Sequence, residues 1–221
     1  MYIPKAFEVT DLSTLHEFIE TYSFGTLVTV ASEQPVATRL PLILDRARGR
    51  NGSLLGHVAR ANPQWRSFDG DRQCLVMFDG PHAYISPSWY ATSPAVPTWN
   101  YAAVHVYGIP RPFHEAGQLA ALVERLVDIY EAAMPQPWPG TLPADFKAAM
   151  LKAIVGFTIE IDRIEGKFKL GQNRPIEDRS GAVARLERSS DQTARALAEL
   201  TRKHLHLDAV AAPPSAMDTV K

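Results

Sequence analysis

The chain has 221 residues, of which 46% are hydrophobic, and its 23 Lys and Arg against 24 Asp and Glu give a formal net charge of −1. These are the values of a globular chain that can bury a sizeable core; they exclude a disordered chain and give no global electrostatic reason to expect nucleic acid or an anionic membrane as partner. Cys74 is the only cysteine, which excludes an intrachain disulfide and a cysteine-based metal cluster.

The N-terminal part predicts a helix followed by a strand hairpin. Thr10 or Asp11 can cap a helix whose apolar residues recur at helical spacing up to Tyr22. The segments FGTLVTVA and VATRLPLIL are rich in β-branched residues and flank the polar SEQP, so we expect an antiparallel hairpin with a longer turn. Pro41 within the second strand indicates an edge or a bulge. The N-terminus lacks a signal-peptide core and no apolar run could span a bilayer, so we expect a soluble, cytoplasmic protein.

The stretch LLGHVARANPQWRSF predicts a strand over 53–58 that leads directly into a short helix over 63–68. Asn62 is a favourable N-cap, and Pro63 suits the first helical position because no donor is needed there. Free N–H groups and the positive end of the helix dipole would then gather beside Arg60, which is typical of an anion site. The alternative is an ordinary strand-to-helix junction with a surface arginine.

The rest of the chain predicts more antiparallel strands and peripheral helices. CLVMFDG and HAYIS are expected as strands broken by Gly80-Pro81, Ser86-Pro87-Ser88 as a turn, and TWNYAAVHVYGIP and IVGFTIEIDRIEGKFKL as long strands. Helices are predicted over 115–134 and 144–153, with a final one capped by Ser190 or Asp191 and ending near 205; VAAPPSAMDTVK is expected to be a disordered tail. Strands joined by short connections predict a mainly β fold, an antiparallel barrel with peripheral helices.

Several segments resemble a known family: MYIPKAFEVTD, ATRLPLIL, GHVARANPQW, GPHAYISPSWY, VPTWNYAAVHVYG and IVGFTIEIDRIEGKFKLGQNRP. In this order, over residues 1–178, they resemble the PaiB family of FMN-binding negative transcriptional regulators. The resemblance implies an FMN-binding split β-barrel, the antiparallel Greek-key barrel of pyridoxamine-phosphate oxidases. It also implies a homodimer with FMN at the interface. Gly171 departs from the family, where a serine is expected, and so removes a hydroxyl that could donate to a ligand or cap a turn.

The predicted domain boundaries follow from the elements and the resemblance together. A split-barrel domain is expected over 1–187, with a helical insertion over about 114–153. The C-terminal helix and the disordered tail are expected over 188–221.

The resemblance also implies where the cofactor would bind. The turn after the Leu54–Val58 strand would hold the FMN phosphate through Arg60, with donors at Ala59 and Asn62 and with His57 ordering the turn. On the preceding strand Arg39 would pair with the phosphate or ribityl end, while backbone groups would bond the ring edge. The predicted cofactor-binding residues are Arg39, Leu40, Pro41, Leu42, His57, Ala59, Arg60, Asn62, Trp99, Asn100, Lys169 and Arg174.

Simpler interpretations of these residues stay open. Arg39 could face solvent or form an interfacial ion pair, and Trp99 could pack in an interface without touching a cofactor. Lys167 and Lys169 share a strand face, which usually means a solvated surface. His57, His82 and His105 lack metal-ligand spacing, so no metal site is predicted.

Three functions stay open. The first is an FMN-binding regulatory module that represses transcription as a homodimer, with DNA or a regulatory protein as partner. The second is an FMN-dependent oxidoreductase using a nicotinamide donor; no catalytic residue is assigned, although Tyr84, Tyr101 or His105 could serve as acid or base. The third is a haem-binding barrel with His57 or His82 as ligand. No helix-turn-helix is recognised.

Overall fold

A computed structural model describes residues 1–68 and 70–207 of the protein. Strands occupy Glu8–Val9 (β1), Phe24–Ala31 (β2), Gln34–Pro41 (β3), Ile43–Asp45 (β4), Ser53–Ala59 (β5), Cys74–Ile85 (β6), Thr98–Gly108 (β7), Pro110–Phe113 (β8), Ile154–Glu160 (β9) and Arg163–Lys169 (β10). Helices occupy Leu12–Thr21 (α1), Ala116–Glu131 (α2), Ala144–Lys152 (α3), Ile176–Glu187 (α4) and Gln192–Leu205 (α5), with 3-10 helices at Lys5–Phe7, Pro63–Ser67 and Pro87–Trp89.

Within the described residues the strands form two sheets. One has six strands in the order β1-β10-β7-β6-β2-β3, and the other has four in the order β4-β5-β9-β8. The described residues divide into two compact units, the first comprising residue 1, 9–68, 70–79 and 104–166, and the second comprising 2–8, 80–103 and 167–207. The four-stranded sheet lies wholly in the first unit.

Three segments that the sequence pattern predicts as single strands are each two strands in different sheets. The chain leaves β3 at Pro41 and enters β4 at Ile43, and Leu42 between them donates its N–H to the Ser23 carbonyl at 2.9 Å. The chain also changes sheets between β7 and β8 and between β9 and β10. At the first two changes the residues stay half-buried or buried, so periodicity alone could not locate those breaks.

The hairpin between β2 and β3 is tighter than the predicted longer turn. Ala31 pairs with Gln34, which leaves a two-residue turn of Ser32 and Glu33, both with positive φ (49° and 63°). Such a turn matches the right-handed twist of the flanking strands even though neither residue is glycine or asparagine.

Gly80-Pro81 does not break a strand, contrary to the prediction. β6 is continuous through both residues, and Pro81 is buried within it. The Ser86-Pro87-Ser88 turn that follows is confirmed: the Ser86 hydroxyl accepts a hydrogen bond from the Ser88 N–H and begins a 3-10 helix.

The helices match the prediction except for one. Asp11 and Asp191 cap α1 and α5 through their carboxylates, while α2 ends three residues before the expected boundary. The sequence analysis missed α4, whose start is marked by Pro175 and by two acids, Glu177 and Asp178, in its first turn. The predicted disordered tail lies outside the described residues. Among those described, none of the helices has both the length and the apolar character to cross a bilayer.

Each unit has its own buried apolar residues. In the first unit they include Leu27, Leu54, Phe78, Phe157 and Ile159, all essentially inaccessible to solvent. In the second they include Ile85, Phe168, Val183, Leu186 and Leu197, most of them from α4 and α5 and the strand ends beside them. On β7, Asn100, Ala102, Val104 and Val106 are buried and the aromatic residues between them are not, so the two sets lie on opposite faces of the strand.

Gly108, at the end of β7, lies where the backbone of β7 passes close to that of Glu160 at the end of β9. A Cβ at this position would lie 2.1 Å from the Glu160 carbonyl oxygen, and the backbone there cannot move aside cheaply. Gly108→Ala is expected to lower the free energy of unfolding by about 1–3 kcal/mol, because it forces overpacking. Urea unfolding followed by circular dichroism measures this.

Gly117 in α2 is the matched control, since a Cβ there would meet no heavy atom within 4 Å. Gly117→Ala is expected to leave stability unchanged or raise it by up to about 1 kcal/mol. Equal unfolding midpoints for the two variants would contradict the interpretation of Gly108.

Candidate functional site

The turn after β5 has the predicted cap but a tighter helix. The Asn62 side chain accepts from the Gln64 N–H at 3.0 Å, Pro63 occupies the first turn, and the helix that follows is a 3-10 helix, Pro63–Ser67. The cap therefore satisfies the donor that would otherwise be free at the helix start. The Asn62 amide also donates to the Thr38 hydroxyl at 3.0 Å, which ties the turn to β3.

Gln64 holds this turn against the β2–β3 hairpin, and the sequence analysis did not single it out. Its side chain is 1% exposed, and its amide nitrogen donates to Leu27 O, Thr29 Oγ1 and Val36 O at 3.1–3.2 Å. Its amide oxygen accepts from the Thr38 hydroxyl at 2.5 Å. A buried amide with four hydrogen bonds is costly to disturb, so the turn has a fixed position on the hairpin.

The Arg60 side chain binds backbone carbonyls at the end of α3. Its Nε donates to Lys152 O at 2.6 Å, its Nη2 to Ile154 O at 2.7 Å, and its backbone N–H to Ala153 O at 2.8 Å. Cations are favourable at a helix C-terminus because unpaired carbonyls gather there. The structure therefore shows Arg60 attaching α3 to β5, with these guanidinium donors directed at carbonyls instead of at the Asn62 cap. The neighbouring Ala59 carbonyl accepts from the Asn62 N–H at 2.9 Å.

Arg39 lies on β3, the edge strand of the six-stranded sheet, and is exposed. Its guanidinium carbon lies 5.1 Å from the centroid of the Phe24 ring on β2. Leu40 and Leu42 are buried and Pro41 is half-buried. Because the Leu42 N–H already donates to Ser23 O, it is not free for the ring edge of a flavin, whereas an edge strand leaves other backbone groups unpaired.

His57 points away from the cap. On β5 the side chains of Leu54 and Val58 are buried together with Gly56, so His57 lies on the opposite face of the strand, where it lines a cavity beneath α2 and α3. Burial lowers the pKa of its imidazole below the ordinary value. The structure thus groups His57 with the helical insertion, and groups Asn62 with Thr38 and Gln64.

The second unit carries the other predicted site residues. Trp99 is 53% exposed, with its ring centroid 6.0 Å from that of His82 and 6.3 Å from that of Tyr84. Asn100 is buried. Lys169 donates to Thr98 Oγ1 at 2.5 Å, and the Arg174 guanidinium carbon lies 4.6 Å from the centroid of the Tyr90 ring.

Two further residues of the second unit, Gly171 and Lys167, differ from what the sequence pattern or the family leads one to expect. Gly171 has φ +87°, a conformation in which a serine would be strained, so the departure from the family suits the backbone found here. Lys167 is buried, contrary to the solvated face expected of it: its ammonium donates to Tyr2 O at 3.0 Å and lies over the Tyr2 and Tyr101 rings.

Comparison with known proteins places the chain in a family. Residues 1–163 match a family model described as "Putative FMN-binding domain". The chain is 40% identical over 207 residues to the protease synthase and sporulation protein PAI 2 of Bacillus subtilis (strain 168), covering 93% of this chain and 98% of that protein. It is 29% identical over 244 residues to an uncharacterized protein of Emericella nidulans, covering 92% and 97%.

The chain belongs to the PaiB family of FMN-binding proteins.

Solved structures agree on the fold. The PaiB-family chain resembles the flavocytochrome Anf3 from Azotobacter vinelandii with a TM-score of 0.61 at 13% identity, over 80% of this chain and 77% of that one. It resembles the FAD and heme binding protein from Mycobacterium smegmatis with a TM-score of 0.52 at 18% identity, over 79% of each chain. The predicted fold class, a mainly β flavin-binding split barrel with peripheral helices, is confirmed.

The PaiB-family chain also has a buried carboxylate, Asp178, which the sequence analysis did not single out. It is fully buried and accepts hydrogen bonds from Ala91 N at 2.8 Å, Thr92 N at 3.0 Å and Thr92 Oγ1 at 2.6 Å. Burial by itself raises the pKa of this carboxyl, but the bonds from Thr92 and Ala91, with Arg174 nearby, hold its pKa below the ordinary value. Asp178 therefore fixes the loop before β7 as an ionised group.

The lowered pKa of Asp178 predicts how stability depends on pH. Since the folded state favours the charged form, the stabilisation is present above the ordinary carboxyl pKa and is lost as pH falls through the lowered value. Asp178→Asn is expected to destabilise the protein near neutral pH and to flatten the loss of stability between neutral and acid pH. Urea unfolding at a series of pH values measures this.

The control is Glu177→Gln, which removes an exposed acid from the same helical turn. It is expected to keep the pH dependence of the wild type. An unchanged slope in Asp178→Asn would refute the assignment.

Proposed function

We propose that this PaiB-family chain is an FMN-binding protein that works as a homodimer and serves as a flavin-dependent regulatory module in the negative control of transcription. Membership of the family over 93% of the chain is the observation that carries the proposal. FMN would supply a redox-active ring, and the chain would supply charge for the phosphate and groups for the ring edge.

Arg39 is the cation that we assign to the FMN phosphate. It is exposed on an edge strand, and Thr38, the residue before it, is held in place by hydrogen bonds with Asn62 and Gln64. The Arg39 guanidinium contacts the Phe24 ring through its face, and this contact leaves the N–H donors of the guanidinium available for a ligand. Arg60 fits this role less well because its guanidinium already holds two carbonyls.

FMN titration of three arginine variants tests this assignment. Arg39→Ala is expected to weaken FMN binding about 10- to 100-fold, because a charge-assisted hydrogen bond is worth about 1.5–3 kcal/mol. Arg60→Ala is expected to keep FMN affinity and to lower the unfolding midpoint instead, since it releases the end of α3. Flavin fluorescence quenching measures the affinity, and thermal unfolding measures the midpoint.

Arg66→Ala is the matched control, since Arg66 is an exposed arginine of the same turn that stacks on Trp65. Loss of FMN affinity in Arg60→Ala but not in Arg39→Ala would overturn the assignment. Absence of FMN binding by the wild type would overturn the proposed function itself, and haem would then be titrated by its Soret band.

The outward face of β2 supports the homodimer. Phe24 is 55% exposed and Val30 is 45% exposed, and Thr26 and Val28 between them are half-buried. The solvent face of an antiparallel strand is usually polar, so a row of this kind is typical of a surface that another protein covers. A second copy of the chain is the partner that the family resemblance implies.

Sedimentation and DNA binding test the remaining parts of the proposal. Val30→Glu is expected to shift the wild-type dimer to monomer, because it buries a charge in the interface, whereas Gln118→Glu on the exposed side of α2 leaves the dimer intact. A monomeric wild type would refute the homodimer. Failure to retard DNA from its own upstream region, with oxidised or reduced FMN, would refute direct repression.

A further inference from the structure

The helical insertion lines an open cavity of about 400 Å³ in the first unit. Its walls come from α2, α3, the segment between them and the outward faces of β5 and β9. The residues that matter for its chemistry are His57, Asp128, Trp138, Lys147, Met150 and Ile154. A volume of this size holds a small organic molecule.

His57 gives the cavity an uncommitted hydrogen-bonding group. Within residues 1–68 and 70–207 its imidazole makes no hydrogen bond and no ion pair. Burial lowers its pKa, so the ring is neutral near pH 7 and offers one donor and one acceptor. A half-buried imidazole without a protein partner is suited to a ligand.

The cavity carries one unbalanced negative charge. Glu124 and Lys147 form an ion pair at 2.6 Å and neutralise each other. The Asp128 carboxylate, one turn further along α2, has no hydrogen bond or ion pair with any part of the chain that the structure describes. With a neutral His57, this leaves a net charge of −1 on the lining, which favours a cationic ligand.

Apolar side chains complete the walls. Trp138 is 43% exposed and Met150 is 48% exposed, although both lie on the lining. The Trp138 backbone N–H donates to Glu131 Oε2 at 2.7 Å, which fixes the segment that carries its ring. An indole and a thioether held beside a carboxylate offer a flat or aliphatic molecule both dispersion contacts and an ion pair.

We propose that this cavity binds a small organic amine with an aromatic or aliphatic body. The ammonium group pairs with Asp128, the body packs against Trp138 and Met150, and His57 accepts a hydrogen bond from a further N–H or O–H of the ligand. The site is separate from the Thr38, Asn62 and Gln64 cluster, so its occupancy does not depend on the proposed FMN function.

Isothermal titration of the full chain with tryptamine tests the proposal, because this molecule carries an ammonium group, an aromatic body and a second N–H. We expect saturable binding with one molecule per chain, and no binding of indole-3-propionate, which has a similar body and the opposite charge. Asp128→Asn is expected to weaken tryptamine about fivefold or more through loss of the ion pair.

Two further variants test whether tryptamine binds in this cavity and not elsewhere on the chain. Asp145→Asn removes an exposed acid from the first turn of α3 that does not line the cavity, and it is expected to leave affinity unchanged. Trp138→Ala is expected to abolish binding while the circular dichroism spectrum stays that of the wild type.

The titration is run on FMN-free and FMN-loaded protein, because an indole can also stack on a flavin. Equal affinities in both forms support the proposal. Absence of saturable binding, binding that needs FMN, or an affinity that Asp128→Asn and Trp138→Ala leave unchanged would each overturn it.

Discussion

The close approach of Gly108 to the Glu160 carbonyl is the constraint on which the first unit depends. The chain changes sheets just after each of these residues, and the Asp162 N–H donates to Tyr107 O at 3.0 Å beside them. Only a residue without a side chain lets the two backbones meet. The Asn51 amide donates to Ile161 O at 3.1 Å and so braces this meeting point from the chain before β5.

The turn after β5 has an ordinary local sequence, but hydrogen bonds to distant segments fix its position. Gln64 attaches it to the hairpin, and Arg60 attaches it to the end of α3. Both attachments are buried or backbone-directed hydrogen bonds, which are expensive to leave unmade. Because these bonds already occupy the guanidinium of Arg60, the arginine nearest the cap, we propose Arg39 on the neighbouring edge strand as the cation for the phosphate.

The helical insertion covers apolar residues of the four-stranded sheet and also forms the cavity beside His57. Ile43 and Leu55 on the four-stranded sheet are covered by Leu122 and Leu126 of α2, which removes apolar surface from water. The cover extends past this cluster, and there it leaves His57 facing a cavity instead of a packed core. The helical insertion therefore packs closely on the sheet at the Leu122 and Leu126 cluster and leaves a cavity beside His57, so the cavity does not interrupt the core.

The sequence by itself determined the fold class, the Asn62 cap and most helix boundaries, because caps and periodicity are local properties. The long motifs also determined the family. Only the tertiary structure decided where strands change sheets, that Arg60 binds carbonyls, and that Gln64 and Asp178 are buried and hydrogen-bonded. Those outcomes depend on which backbone groups distant segments bring within reach, and no local pattern of residues carries that information.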